Sequence, residues 1–102
     1  MASSTIAGTF STGSTASVGN VSDTCVIPSG VTTMRISTSG LDASNTVRTE
    51  KRTTPGGTFT AQTTYSTDQN SAAVTVAPGE EWRLFQLTQQ PIRDVRYRLQ
   101  AL

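Results

Sequence analysis

Apolar and polar residues alternate most regularly near the C-terminal end of the chain. Every second position is apolar there, and the positions between them are polar or charged, including Arg96 and Arg98. The apolar set is Val95, Tyr97, Leu99 and Ala101. Because successive side chains of a strand point to opposite faces, this alternation predicts a strand with one buried face and one basic, solvent-facing side.

Similar short segments recur along the chain, separated by Gly, Pro, Asn, Asp and Ser. The predicted strands are residues 5–12, 23–27, 31–39, 46–53, 58–65, 72–76, 82–88 and 93–102. Patterns with helical spacing are nearly absent, and β-branched residues pack better on a pleated surface than in a helix. Short strands at this spacing are typical of sandwiches and barrels. We therefore predict an all-β domain, a single β-sandwich of Ig-like or jelly-roll-like type with about seven to eight strands.

Two of these segments carry unusual patterns. Residues 82–88 have apolar side chains at both parities, which requires a bulge or a central strand buried on both faces. Residues 46–53 contain Val47 as their one large apolar residue, so we expect an edge strand or a strand facing a partner. We also expect a shared core on two neighbouring segments, made of Trp82, Leu84, Val95, Tyr97 and Leu99.

The N-terminal segment differs from the rest of the chain. Residues 1–20 are rich in Ser and Thr and contain few large apolar residues, among them Ile6 and Phe10. We interpret residues 1–20 as an extended arm or weak edge strand, and residues 21–102 as the sandwich domain. The segment is expected to act in assembly rather than in folding, with Ile6 and Phe10 as candidate contacts to a partner.

The composition argues against catalytic chemistry. Thr occurs 19 times and Ser 12 times, but the chain has no His to activate a hydroxyl nucleophile or to bind a metal. Glu80 and Glu81 are adjacent, so on a strand they point to opposite faces and cannot face each other across a substrate. We therefore expect no enzyme activity, no cofactor and no metal site.

Cysteine and charge restrict the cellular setting. Cys25 is the one cysteine, so an internal disulfide is impossible and folding in a reducing compartment is the natural interpretation. We find no signal peptide pattern and no apolar stretch near the roughly 18 residues of a membrane span. The formal net charge of +1 predicts no nucleic-acid partner.

Two side-chain groups could form a binding surface. Arg93, Arg96 and Arg98, joined by Arg83 if it lies on the neighbouring strand, are either a solubilising face or a docking surface for an acidic protein. The large aromatic residues are either core residues or a platform on which a sugar could stack. This aromatic set is Tyr65, Trp82 and Tyr97.

The second part of the chain resembles small structural proteins of tailed bacteriophages. The shared pattern is a strand with a charged centre, a Gly-Gly-x-Phe strand, a Pro-Gly corner before an aromatic-Arg-Leu strand, and a final Val-x-Tyr-Arg-Leu. These motifs are Val47-Arg48-Thr49-Glu50-Lys51-Arg52, Gly56-Gly57-Thr58-Phe59, Pro78-Gly79-Glu80-Glu81-Trp82-Arg83-Leu84 and Val95-Arg96-Tyr97-Arg98-Leu99. The resemblance covers residues 31–102.

This resemblance implies a capsid decoration (cement) protein with an Ig-like or related β-sandwich. Such a protein is made in the bacterial cytoplasm, binds the major capsid protein on the virion surface and stabilises the shell. A homo-oligomer is expected, preferably a trimer, because capsid lattices present local three-fold positions. A tail or fibre component and a carbohydrate-binding adhesion module remain the alternatives.

Overall fold

In the computed structural model, which describes residues 4–10, 21–43, 45–87 and 94–102, the chain forms eight strands. The strands are β1 (Thr5–Phe10), β2 (Cys25–Val26), β3 (Thr33–Ser39), β4 (Val47–Arg52), β5 (Thr60–Tyr65), β6 (Ala72–Thr75), β7 (Glu81–Gln86) and β8 (Val95–Ala101). The described part of the chain contains no helix. The all-β prediction is therefore confirmed.

The strands form two four-stranded antiparallel sheets that pack as a sandwich. The order is β1-β8-β3-β6 in one sheet, here called the β8 sheet, and β2-β7-β4-β5 in the other, the β7 sheet. Among consecutive strands only β4 and β5 are neighbours within a sheet, and every other connection crosses between the sheets. The turn between β4 and β5 closes with a hydrogen bond from the Gly57 backbone N–H to the Thr54 carbonyl, as the Pro-Gly-Gly sequence predicts.

The core lies between the two sheets and draws side chains from both. The β7 sheet contributes Trp82 and Leu84, and the β8 sheet contributes Val95 and Leu99, while Tyr97 is half-buried against the same cluster. The expected grouping is present, but its placement on neighbouring strands is wrong. Because the connection from β7 to β8 crosses the sandwich, the two sets meet face to face rather than side by side.

Strand β7 is a central strand, between β2 and β4. This explains its apolar residues at both parities, because Leu84 points into the core while Phe85 lies half-buried on the outer face. Strand β4 is also internal, between β7 and β5, so the expectation of an edge strand is wrong. Its inner face is completed by buried Thr49, whose hydroxyl accepts a hydrogen bond from the Thr63 backbone N–H.

A β-bulge interrupts the regular alternation of β5. Arg48 pairs with Thr64, whereas Glu50 pairs with Ala61, so β5 has one more residue than β4 in this interval. The bulge moves Ala61 and Tyr65 to different faces, and Tyr65 lies beside core Val47. Such bulges also make the edge of a sheet a poorer template for pairing with another chain.

Strand β1 is an edge strand whose apolar side chains belong to the core. Ile6 is 6% exposed and Phe10 is 4% exposed, so the two residues expected to contact a partner are core residues here. Between them, Gly8 lies over the ring of Tyr97, where a Cβ atom would be 2.5 Å from the phenol oxygen. The missing side chain lets the Tyr97 ring centroid lie 4.8 Å from that of Phe10. Residues 1–3 and 11–20 of the predicted arm lie outside the described residues.

We expect the Phe10→Ala substitution to lower the free energy of unfolding by about 3–5 kcal/mol, because it removes a buried ring and leaves a cavity. The matched control is Thr9→Ala, on the exposed face of the same strand, which should change stability by less than about 0.5 kcal/mol. Denaturation followed by the fluorescence of buried Trp82 measures both variants. Equal stability of the two variants would show that the Phe10 ring contributes nothing measurable to the core.

Candidate docking surface

The outer face of the β8 sheet carries a group of arginines above small side chains. We define the basic face as Arg35, Ser37, Ser39, Arg96 and Arg98. The pleat of β8 places Arg96 and Arg98 outward, because the residues on either side of Arg98 point into the sandwich. On β3, Ser39 pairs with Arg96 and Ser37 pairs with Arg98. The face therefore belongs to two central, hydrogen-bonded strands rather than to loops.

The neighbours of these arginines are short on both sides. On β1, Thr9 lies opposite Arg96 and Ala7 lies opposite Arg98. A shallow depression of about 230 Å³ lies at this place, lined by Ser37, Thr38, Ser39, Arg96, Tyr97 and Arg98. Enclosed small-molecule sites usually measure about 300–1,000 Å³. The depression is therefore suited to a surface group of a partner rather than to an enclosed ligand.

The exposed guanidinium groups of Arg96 and Arg98 differ from the described arginines of the β7 sheet in their ion pairing. Within the part of the chain that the structure describes, neither Arg96 nor Arg98 forms an ion pair. Arg35 donates a hydrogen bond from Nη1 to the Ser71 carbonyl oxygen at 3.0 Å, which orients its side chain. The charge of this face is thus available to a negatively charged partner.

On the outer face of the β7 sheet, in contrast, the arginines form ion pairs with glutamates of the same sheet. Glu50 accepts the Nε–H groups of Arg48 and Arg83, both at 2.8 Å, with one carboxylate oxygen for each. Arg52 is held by Glu81 at 2.6 Å. Glu50 lies directly opposite Arg83, and Arg52 lies opposite Glu81, so cross-strand register produces these ion pairs.

The same three arginines also form cation–π contacts with aromatic rings. The guanidinium carbons of Arg52 and Arg83 lie 4.5 and 4.0 Å from the ring centroid of Phe59. Arg48 lies 4.7 Å from the ring of Phe85. Sequence reasoning missed this network and grouped Arg83 with the C-terminal arginines, but Arg83 belongs to the other sheet. The available signal was the alternating Arg-x-Glu-x-Arg pattern of β4 beside the Glu-x-Arg pattern of β7.

The predicted contact residues divide into three groups. Arg96 and Arg98 lie exposed on the basic face, and Arg93 lies outside the described residues. Ile6 and Phe10 are buried in the core, so their contact with a partner would require β1 to leave the sheet. Their contact with a partner therefore stays a prediction. Their burial in the core is observed in the structure.

The three large aromatic side chains do not share an exposed surface. Trp82 is 3% exposed and its indole N–H donates to Glu80. Tyr65 is half-buried in the β7 sheet, while Tyr97 is half-buried in the β8 sheet. Burial raises the pKa of both phenols. None of the three rings is therefore presented as an open platform for a sugar.

Glu80 stabilises the corner that leads into β7. One carboxylate oxygen accepts the Ala77 backbone N–H at 2.7 Å and the Trp82 indole N–H at 3.2 Å, and the other pairs with Lys51 at 3.0 Å. Burial raises the pKa of this carboxyl, but the hydrogen bonds and the Lys51 charge outweigh burial and lower the pKa below its ordinary value. The adjacent Glu81 points to the outer face, where it binds Arg52.

The two other groups that could take part in chemistry, the Cys25 thiol and the Asp68 carboxylate, contact backbone groups of the fold. Cys25 is fully buried, its thiol contacts the Ser4 carbonyl, and burial raises its pKa to about 11. The Asp68 carboxylate accepts the Leu41 backbone N–H at 2.8 Å. In the described ranges, no three His, Cys, Asp or Glu side chains are placed to hold a metal ion. Those ranges also contain no helix long and apolar enough to cross a membrane.

We expect Glu80→Gln to destabilise the protein at neutral pH and to matter progressively less in acid. Since the pKa of Glu80 is lowered by folding, its contribution is present above the unfolded-state value of about 4.3 and is lost as pH falls through the folded value. Urea unfolding at pH 7 and at about pH 3 measures the difference. In a Lys51→Gln background the effect should shrink, and a pH-independent difference would contradict the assignment.

No protein-family model, curated protein or solved structure matches this chain. The function proposed below therefore depends on the residues of the basic face and on the motifs of residues 31–102.

Proposed function

We propose that this protein is a non-enzymatic structural protein of a tailed-bacteriophage virion, which binds the outer surface of the capsid through the basic face and stabilises the shell. It is made in the host cytoplasm, and its partner is the major capsid protein. Two independent points support the proposal. One is the resemblance of residues 31–102 to phage structural proteins, and the other is the basic face itself.

The observation that carries the proposal is the contrast between the two outer faces. On the β7 sheet, carboxylates and rings of the same chain engage Arg48, Arg52 and Arg83. On the β8 sheet, Arg96 and Arg98 are exposed and without ion pairs among the described residues. Planar guanidinium groups bind carboxylates in a bidentate way, which gives both attraction and register. An acidic patch on a capsid surface would complement this face.

We further propose that the sandwich is of jelly-roll rather than Ig-like type. A jelly roll has eight strands, which pair as first-eighth-third-sixth in one sheet and second-seventh-fourth-fifth in the other. This is the order of the two sheets here. In Ig-like sandwiches the first two strands are neighbours, whereas β1 and β2 lie in different sheets. Jelly rolls are common in viral capsid proteins and in lectins, so the topology supports a virion protein without specifying its position.

Stabilisation of the shell would follow from repetition rather than from one strong contact. Exposed charge pairs contribute about 0–1 kcal/mol each, so a single copy binds weakly through the basic face. Many copies on a lattice, linked as a symmetric oligomer, gain avidity from simultaneous contacts. A trimer is the expected oligomer because a capsid lattice presents local three-fold positions.

A carbohydrate-binding module is the second candidate, since lectins share the jelly-roll architecture. Its rings would have to come from somewhere other than Trp82, which is buried. A tail or fibre component is the third candidate and follows from the same motif resemblance. Electron microscopy of assembled particles separates these positions directly, and a glycan array tests the carbohydrate alternative.

We expect the double substitution Arg96→Gln and Arg98→Gln to weaken capsid binding at low salt while changing stability by at most about 1 kcal/mol. The physical reason is that both side chains are exposed and form no ion pair with other described residues, so they act on a partner rather than on the fold. Binding is measured by co-sedimentation with empty capsids assembled from the major capsid protein of the phage that encodes this chain. The loss should shrink above about 0.15 M salt, where the Debye length is roughly 8 Å.

The matched control is Thr53→Glu with Thr58→Glu, in the exposed β4–β5 turn on the other sheet. It lowers the net charge by the same amount as the arginine variant but leaves the basic face intact. If both variants bind capsids equally, net charge rather than the basic face governs association. If the parent protein does not sediment with capsids at any salt concentration, the proposed function is wrong.

A further inference from the structure

We infer that the basic face recognises an extended acidic segment of its partner, with carboxylates at alternate positions, lying along β8. The inference rests on the proposed function in taking this face as the docking surface, and it adds the chemistry and conformation of the segment that docks. It follows from the spacing of the two arginines on β8, the short side chains beside them on β1 and β3, and the distribution of charge on the basic face.

The spacing matches that of an extended peptide. Arg96 and Arg98 are two residues apart on β8, with the half-buried Tyr97 between them. At about 3.4 Å per residue, their Cα atoms are about 6.8 Å apart along the strand. Side chains on one face of any extended segment have the same spacing. A Glu-x-Glu or Asp-x-Asp segment parallel to the strand axis can therefore place one carboxylate beside each guanidinium.

The shape of the face allows such a segment to lie flat. Ser39 and Thr9 flank Arg96, and Ser37 and Ala7 flank Arg98. These short side chains leave the two guanidinium groups standing above the sheet, next to the depression of about 230 Å³. The Ser37 hydroxyl accepts the Ser71 backbone N–H, so its own hydrogen is free to donate to a bound carboxylate.

The distribution of charge favours a short acidic peptide over a long polyanion. Nucleic acids and sulfated polysaccharides bind through many cations at once, and each neutralised charge adds to the salt dependence. The basic face has three arginines, of which Arg35 is already oriented toward the Ser71 carbonyl.

The experiment compares two synthetic peptides of identical composition by NMR titration of the ¹⁵N-labelled full chain. One peptide is Thr-Glu-Thr-Glu-Thr and the other is Glu-Glu-Thr-Thr-Thr, both with blocked ends. We expect the alternating peptide to bind about threefold more tightly, with amide shifts concentrated in residues 37–39 and 96–98. Arg96→Gln with Arg98→Gln should abolish this preference, while Thr53→Glu with Thr58→Glu should retain it.

Each alternative outcome has a defined meaning. Equal affinity for the two peptides, or amide shifts on β4 and β7 instead, would overturn the inference. Inorganic phosphate that competes as well as the alternating peptide would also overturn it, because the face would then be a general anion site. The titration contains no capsid, so its result is independent of the co-sedimentation assay. Peptide preference without capsid binding refutes the proposed function alone, and capsid binding without peptide preference refutes the inference alone.

Discussion

The antiparallel pairing of β8 with β1 on one side and β3 on the other is the constraint on which the rest of the structure depends. It joins the last strand of the chain to the first and makes β8 the centre of its sheet. Its pleat then directs Val95 and Leu99 into the core and Arg96 and Arg98 to the surface. Fold stability and the candidate docking surface thus depend on one register, since a shift of one residue would exchange the two faces.

The two outer faces use arginine in different ways. On the β7 sheet, Glu50 joins Arg48 and Arg83, while Phe59 lies beneath Arg52 and Arg83, so these cations already form ion pairs and ring contacts within the chain. Such a face allows a central strand like β4 to carry charge without leaving it unpaired. On the β8 sheet the arginines remain exposed above serines. A partner with carboxylates would gain most from the β8 sheet, because Arg96 and Arg98 form no ion pair with any other described residue.

Of the two expected forms of the N-terminal segment, an extended arm or an edge strand, residues 5–10 take the second. Ile6 and Phe10 make β1 part of the sandwich, and Gly8 allows the Tyr97 ring to lie beneath it. A partner that replaced β1 would have to fill the same two apolar sites and cover the same ring. The exposed side chains of β8 are therefore a better candidate for a docking surface than Ile6 and Phe10, which are buried.

Local patterns were sufficient for the all-β class, most strand positions and the two parities of β8, because alternation depends only on neighbouring residues. The hairpin turn at Thr54–Gly57 was predictable for the same reason. The internal position of β4 could not be predicted. A segment whose one large apolar residue is Val47 does not reveal that β5 and β7 pair with it on either side. The β5 bulge could not be predicted either, because an extra residue is recognised only when β5 is aligned with its partner strand β4.

The amino-acid sequence by itself therefore determined which residues alternate, which segments extend and where the chain turns. Tertiary structure decided which strands pair. With that it decided the separation of Arg83 from Arg96 and Arg98, the ion pairing on one face and the exposure of the arginines on the other. The physical reason is that six of the seven connections between consecutive strands cross between the sheets. Nearness in sequence then places residues on opposite layers, and cross-strand register selects which charges meet.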